Sequence, residues 1–182
     1  MQNPSFFQVK VAKTSLIDMN YVVFLRREGD ERMLPIVIGA LEAQSVAGCY
    51  HSQKFSRPLS HDLFRTILQK LNATVTKVYI SDLREETFHA RIVVRVAEDE
   101  LDFDGRPSDA IALALRYSAP IYVDKAIFEK CSINLKQAKR EVEKQKHPIQ
   151  KLKKALDEAI ANERYEDAAK IRDKIQLIEN KN

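Results

Sequence analysis

Residues 101–115 read Leu-Asp-Phe-Asp-Gly-Arg-Pro-Ser-Asp-Ala-Ile-Ala-Leu-Ala-Leu, and the change of period inside this stretch decides the fold class. From Leu101 to Asp104 apolar and acidic residues alternate, as on a short strand, and Gly105 ends the alternation. Pro107 closes the extended chain, Ser108 stands where an N-cap is expected, and Ala110 to Leu115 form a helix of small and apolar residues. A helix with so little polar surface must be buried against a sheet, so the expected class is α+β.

Working outward, Val75, Val78 and Ile80 precede a turn at Arg84-Glu85-Glu86, and Thr87 to Ala97 complete a hairpin rich in β-branched residues. Nearer the N-terminus Phe7, Val9 and Val11 alternate with polar residues, and the runs 20–27 and 32–38 flank Glu28-Gly29-Asp30, giving a strand and another hairpin. Helical spacing returns from Ala40 to His51, with Leu41, Val46 and Tyr50 inward and Glu42 and Gln44 outside. A second helix carries Leu63, Ile67, Leu68 and Leu71; Ser60 is its expected N-cap, and Asp62 suits the positive end of its dipole. Ala119 to Val123 read as a buried strand, followed by a helical turn through Ile127 and Phe128. The expectation is a mixed β-sheet body with packed helices over residues 1–132.

The remainder differs in kind. Residues 133–147 form a basic, helix-prone connector, and 148–182 show two apolar stripes, from Leu152 to Ile160 and from Ala168 to Ile178, separated by Asn162-Glu163-Arg164. That pattern predicts a C-terminal antiparallel α-helical hairpin. Two helices this short bury little apolar area, so they are expected to lean on the body, on a second copy or on a protein partner.

Composition narrows the classes. Between Met1 and Ser132 there are 17 basic and 17 acidic residues, so the net charge of +4 comes from the connector and tail. A neutral body with a locally basic connector gives no nucleic-acid assignment by itself. Met1 to Ser5 lack the start of a signal peptide and no apolar run nears the length of a membrane span, so the cytosol is the expected compartment, without membrane contact. Cys49 and Cys131 have no ligand spacing around them and are expected to be reduced and buried. Walker and Rossmann glycine loops, zinc spacings and a Gly-x-Ser-x-Gly elbow are all missing from the sequence.

Chemistry concentrates at the bend. Asp102 and Asp104 project from one face of their strand, where two carboxylates repel unless a cation neutralises them; with Asp109 they form a candidate site for Mg²⁺ or Mn²⁺. Such an ion could orient a water against a phosphodiester. The structural alternative is that Asp109 complements the helix dipole and Arg106 pairs with Asp104 to fix the bend. A second cluster holds Arg57, Ser60, His61 and Asp62, in which His61 is a candidate base or a capping residue. Glu42, in the first turn of its helix, is a further candidate base or a dipole partner.

Four strings occur together in order: Leu34-Pro35-Ile36-Val37-Ile38-Gly39 with Glu42-Ala43, Arg57-Pro58-Leu59-Ser60-His61-Asp62-Leu63, Arg106-Pro107-Ser108-Asp109-Ala110-Ile111-Ala112-Leu113-Ala114, and Pro120-Ile121-Tyr122-Val123. In these the body resembles the bifunctional nuclease family, with Ser60 standing where Thr is expected in many members. The resemblance implies a cytosolic, self-associating α+β domain with nuclease action on RNA and DNA. The tail, through Tyr165-Glu166, Ala168-Ala169 and Ile171-Arg172-Asp173, resembles the UVR motif of bacterial excision-repair nuclease subunits, which implies protein docking. Two functions follow as expectations. In the first, a metal-dependent nuclease uses Asp104, Asp109, His61 and Glu42 in catalysis, Asp102, Asp104 and Asp109 for metal, and Arg57, Arg106 and Ser108 for substrate. In the second, a non-catalytic interaction protein uses the body as an oligomerisation scaffold.

Overall fold

Two antiparallel three-stranded meanders, joined by one short central strand, make the seven-stranded sheet of this protein, seen in a computed structural model that describes residues 5–135, 137, 155–158, 160–161 and 164–179. The chain divides into two units, Met1–Ile133 and Asn134–Asn182.

In the first unit β1 (Phe6–Ile17), β2 (Asn20–Arg27) and β3 (Met33–Ile38) form one meander, and β4 (Ala73–Arg84), β5 (Thr87–Val96) and β6 (Asp99–Gly105) the other. Strand β7 (Ile121–Asp124) lies between them, so the sheet order is β3-β2-β1-β7-β4-β5-β6. Ile121 stands opposite Val9 of β1 in an antiparallel pairing and opposite Val78 of β4 in a parallel one, which makes the sheet mixed. The β1–β2 and β4–β5 turns are two-residue loops, with Asp18, Met19, Glu85 and Glu86 all at positive φ, the backbone that matches the strand twist. Neither turn contains the usual glycine, which is why Asp18-Met19 gave no turn signal and β1 runs on to Ile17.

Helices α1 (Ala40–Tyr50) and α2 (Ser60–Lys70) follow the first meander, and α3 (Pro107–Tyr117) follows the second. A fourth, α4 (Lys125–Cys131), is capped by the Asp124 carboxylate, which accepts from the Ala126 and Ile127 amides. Helix α3 is central: Ala110 to Ala114 are all buried, with β4 and β5 on one side and α1 and α2 on the other. Its alanines let these four neighbours approach closely, and the helix is buried in one apolar core with Val78, Ile80, Val123 and Phe128.

Four details differ from expectation. The N-cap of α3 is Arg106 and that of α2 is Leu59, so Ser108 and Ser60 are helical; Pro107 is pre-organised for the first helical position, and Asp62 turns back to accept from the Leu59 amide at 2.8 Å. Helix α1 buries Ala43, Ser45, Val46 and Gly48, whereas Leu41 and Tyr50 are exposed, because its small residues face the small residues of α3. Helix α2 buries no residue at all, although Leu63, Phe64, Ile67 and Leu71 line one side of it. Cys49 and Cys131 are free but only half-buried.

In the second unit residues 155–158 and 160–161 are helical, and α5 spans Tyr165–Glu179 with Ala168 buried. The expected helical connector over 133–147, the start of the hairpin and its Asn162-Glu163 turn lie almost wholly outside the described residues. Among the described residues no helix is long and apolar enough to cross a membrane.

Candidate functional site

The first turns of α1, α2 and α3 each contribute an ionisable side chain to one connected cluster. Arg106, the α3 N-cap, places Nη1 2.8 Å from Glu42 Oε1 of α1 and donates from Nε and Nη2 to Asp109 at 2.9 and 3.3 Å. Asp109 Oδ1 lies 3.1 Å from His61 Nε2 of α2, and His61 Nδ1 lies 2.8 Å from the Ser45 hydroxyl of α1. Gly39 makes room at the α1 end: a Cβ there would collide with the Glu42 carboxylate that reaches Arg106. With the His61 proton on Nε2, facing the carboxylate, Nδ1 accepts from Ser45 and every group is satisfied.

A second link runs beneath this one. The Arg116 side chain, 4% exposed, donates through Nε to Asp62 Oδ1 at 2.7 Å and through Nη1 to the carbonyls of Ala112 and Ser45 at 3.0 and 3.3 Å. Burial pushes the Asp62 and Asp109 carboxyls up, but their donors outweigh it. Arg116 and the Leu59 amide hold Asp62 below the usual carboxylate range, and Arg106 and His61 do the same for Asp109. Arg106 is raised in turn, chiefly by its hydrogen bonds to Asp109.

The structure therefore gathers Glu42, His61, Arg106 and Asp109, which come from three separate sequence strings. It does not gather the carboxylates expected to bind metal. Asp102 is held in a two-point pair by Arg91 of β5, with Nε–Oδ1 and Nη2–Oδ2 both at 2.9 Å. Asp104, two residues further along β6, is exposed, and Asp109 spends its oxygens on Arg106 and His61. Among the described residues no three His, Cys, Asp or Glu side chains form a metal-binding group, so the donors present do not fit the expected Mg²⁺ or Mn²⁺ set. Arg106 pairs with Asp109 and Glu42, not with Asp104. Ser108 is buried, which removes its side chain from any polymeric substrate, and Arg57 lies exposed in the loop before α2 with no ion pair to a described residue.

Two participants were not foreseen. Ser45 was legible only as a polar residue on the face of α1 that meets α3. Arg116 had a clearer signal, being a charge seven residues after Asp109 on an otherwise apolar helix, hence on the same face. Ser45, His61 and Asp109 have the order of a hydroxyl–imidazole–carboxylate chain, yet Ser45 is only 3% exposed and closed to a polymer. What His61 and Asp109 do reach is a cleft of about 430 Å³ between α2 and β5–β6, with Phe64, Leu68 and Phe103 on its walls.

Comparison with known proteins places these groups in a family. An uncharacterized protein of Mycobacterium tuberculosis is 37% identical over 112 residues, 62% of this chain and 66% of that protein. Bifunctional nuclease 2 of Oryza sativa subsp. japonica is 25% identical over 186 residues, 88% of this chain and 56% of its own length. Bifunctional nuclease 2 of Arabidopsis thaliana is 26% identical over 107 residues, 57% of this chain and 32% of its own length. The chain thus spans less than two thirds of the length of each of these relatives. A UvrB/UvrC motif matches residues 146–181. The bifunctional nuclease domain matches residues 23–136, which include all five residues of the Glu42–Arg106–Asp109–His61–Ser45 cluster, and the chain belongs to that family.

Proposed function

We propose that the body is a nuclease that hydrolyses phosphodiester bonds of RNA and DNA, with its reaction centre at Glu42, His61, Arg106 and Asp109. The observation that carries this reading is the convergence of a guanidinium, an imidazole and two carboxylates from three helix ends. Arg106, 67% exposed, can offer its outer N–H groups to a phosphate oxygen while Glu42 keeps the guanidinium oriented. As Arg106 turns to phosphate, Asp109 loses part of the pairing that depresses its pKa and becomes a better base. Asp109 then takes a proton from the attacking water as the new P–O bond forms. As the imidazolium, with Nδ1–H donating to the Ser45 hydroxyl, His61 gives its Nε2 proton to the departing sugar oxygen as the old bond breaks and is left as the neutral imidazole. Arg57 supplies a further cation for the phosphate chain.

The test is cleavage of RNA and DNA oligonucleotides in Mg²⁺, Mn²⁺ and EDTA by the wild type, Asp109→Asn, His61→Ala and, as a control, Asp102→Asn. In whichever condition supports cutting, Asp109→Asn and His61→Ala should each lose about 100-fold or more, with the fold retained in far-UV circular dichroism at the assay temperature. Equal loss in Asp102→Asn, or no cutting by the wild type, defeats the reading.

A second reading has its own support, because every polar group of the cluster is already satisfied by another, as in a brace tying three helices together. The body would then be an oligomerisation scaffold or regulatory module. On either reading the 146–181 region serves protein docking or self-association. Ile160 and Tyr165 are apolar residues left exposed there, and the UvrB/UvrC match supports the same role. Removal of residues 134–182 should leave the body folded and abolish a partner or lower the oligomer mass in sedimentation; an unchanged mass and partner set speaks against docking.

A further inference from the structure

We infer that the cleft between α2 and β5–β6 is a stacking slot for an unpaired nucleobase, which makes single-stranded nucleic acid the substrate class of the proposed nuclease. This rests on the nuclease reading above and adds to it where the base goes. The cleft has an apolar floor of Leu68, Ile92, Val94 and Leu113. Phe64 of α2 and Phe103 of β6 enter it from different elements, at 50% and 49% exposure. One end is closed by His61 and Asp109 of the charged cluster.

Several features favour a base over other occupants. Among the described residues lining the cleft there is no Lys or Arg, and its charged members, Asp104 and Asp109, are acidic, so it repels a phosphate track and leaves its apolar walls to an uncharged ring. The cationic group stands at the end, where Arg106 contacts Asp109, so a nucleotide whose base enters the cleft has its phosphate directed toward Arg106. The volume of about 430 Å³ lies within the range of small-ligand sites. In a duplex the bases are stacked and paired, and their faces reach such a slot only after unpairing. Stacking on an aromatic ring tolerates any base and either sugar, as a nuclease acting on both RNA and DNA requires.

The test uses the full chain carrying Asp109→Asn and a DNA oligonucleotide with one 2-aminopurine, single-stranded or annealed to its complement. The single strand should bind at least about tenfold more tightly than the duplex, with quenching of 2-aminopurine fluorescence. Phe64→Ala and Phe103→Ala should each weaken binding by roughly 10-fold, whereas Leu41→Ala, exposed on α1, should not. Sedimentation of the same samples reports whether the face is covered by a second copy. Equal affinity for duplex, no effect of either Phe substitution, or a fall in mass on Phe64→Ala with unchanged strand binding would each overturn the slot. Failure of the nuclease reading is separable. It shows as no cleavage by the wild type, while quenching and strand preference are read without cleavage.

Discussion

On the β4–β5–β6 meander Arg91 and Arg95 of β5 and Lys77 of β4 meet Asp102 and Glu100 of β6; at the helix ends Arg106 and Arg116 meet Glu42, Asp62 and Asp109. Both regions pair basic side chains with carboxylates at 2.7–3.4 Å. The strand pairs are exposed and connect neighbours already joined by the backbone ladder. The helix-end pairs join three elements with no backbone hydrogen bonds between them, and Arg116 does so from within the core. An ion pair gains structural weight when it is the only polar link between elements and when its loss strands a charge away from water. It gains chemical potential when one partner also faces a cleft, as Asp109 does.

The largest test of that contrast is Arg116→Met. Methionine keeps much of the side-chain volume but removes the guanidinium from Asp62 and from the carbonyls of Ser45 and Ala112. A destabilisation of about 3 kcal/mol is expected, because partly buried acceptors lose their donor. In thermal unfolding this is a fall of roughly 10 °C. A change within 2 °C of wild type, on the order of measurement scatter, would mean that the Arg116 link is dispensable and that packing with the His61–Asp109 and Tyr117–Arg65 contacts suffices to hold α2 on α3.

A smaller effect is expected from acid. Asp62 and Asp109 titrate below the usual carboxylate range in the folded body, so each contributes stability that is fully present above the unfolded pKa of about 4. That contribution is lost as pH falls through the lowered folded values. Denaturant midpoints measured from pH 6 down to pH 2.5 should therefore drop most steeply below about pH 4, and Asp62→Asn should flatten the drop. An unaltered acid slope in that variant would show that the Arg116 pair does not couple to folding.

The sequence made the helix-end region more legible than its polar logic. Alternation located the two hairpins and the Ile121-Tyr122-Val123 strand, and the alanines of α3 announced a buried helix. Glu42, His61 and the Arg106-to-Asp109 stretch were singled out separately, each beside a helix start, and were joined in one expected site mainly through the family resemblance, because one-dimensional spacing cannot say that three helix starts meet. For Asp102 and Asp104 the shared strand face was readable, whereas the Arg91–Asp102 pair was not, because it depends on the β5–β6 register, Arg91 against Asp104 and Val93 against Asp102. Ser60 and Ser108 missed their capping roles by one or two residues, because Pro107 and the Asp62 carboxylate set the helix starts instead. The apolar side of α2 was recognised and its exposure was not, since hydrophobic period reports a stripe and not what covers it.

The smallest expected effect is the sharpest control. Arg91 is 56% exposed, and its partner Asp102 stays in water when the guanidinium is removed. Arg91→Met should cost less than about 1 kcal/mol at moderate salt, and the difference from wild type should shrink further as ionic strength rises. The β5–β6 ladder, paired from Ala90–Gly105 to Val96–Asp99, is untouched by the change. If Arg91→Met instead destabilised the body as much as Arg116→Met, burial would not be what separates the two arginines. The acidic strand would then have to be counted with the helix ends as part of what holds the bend at Gly105-Arg106-Pro107 in place.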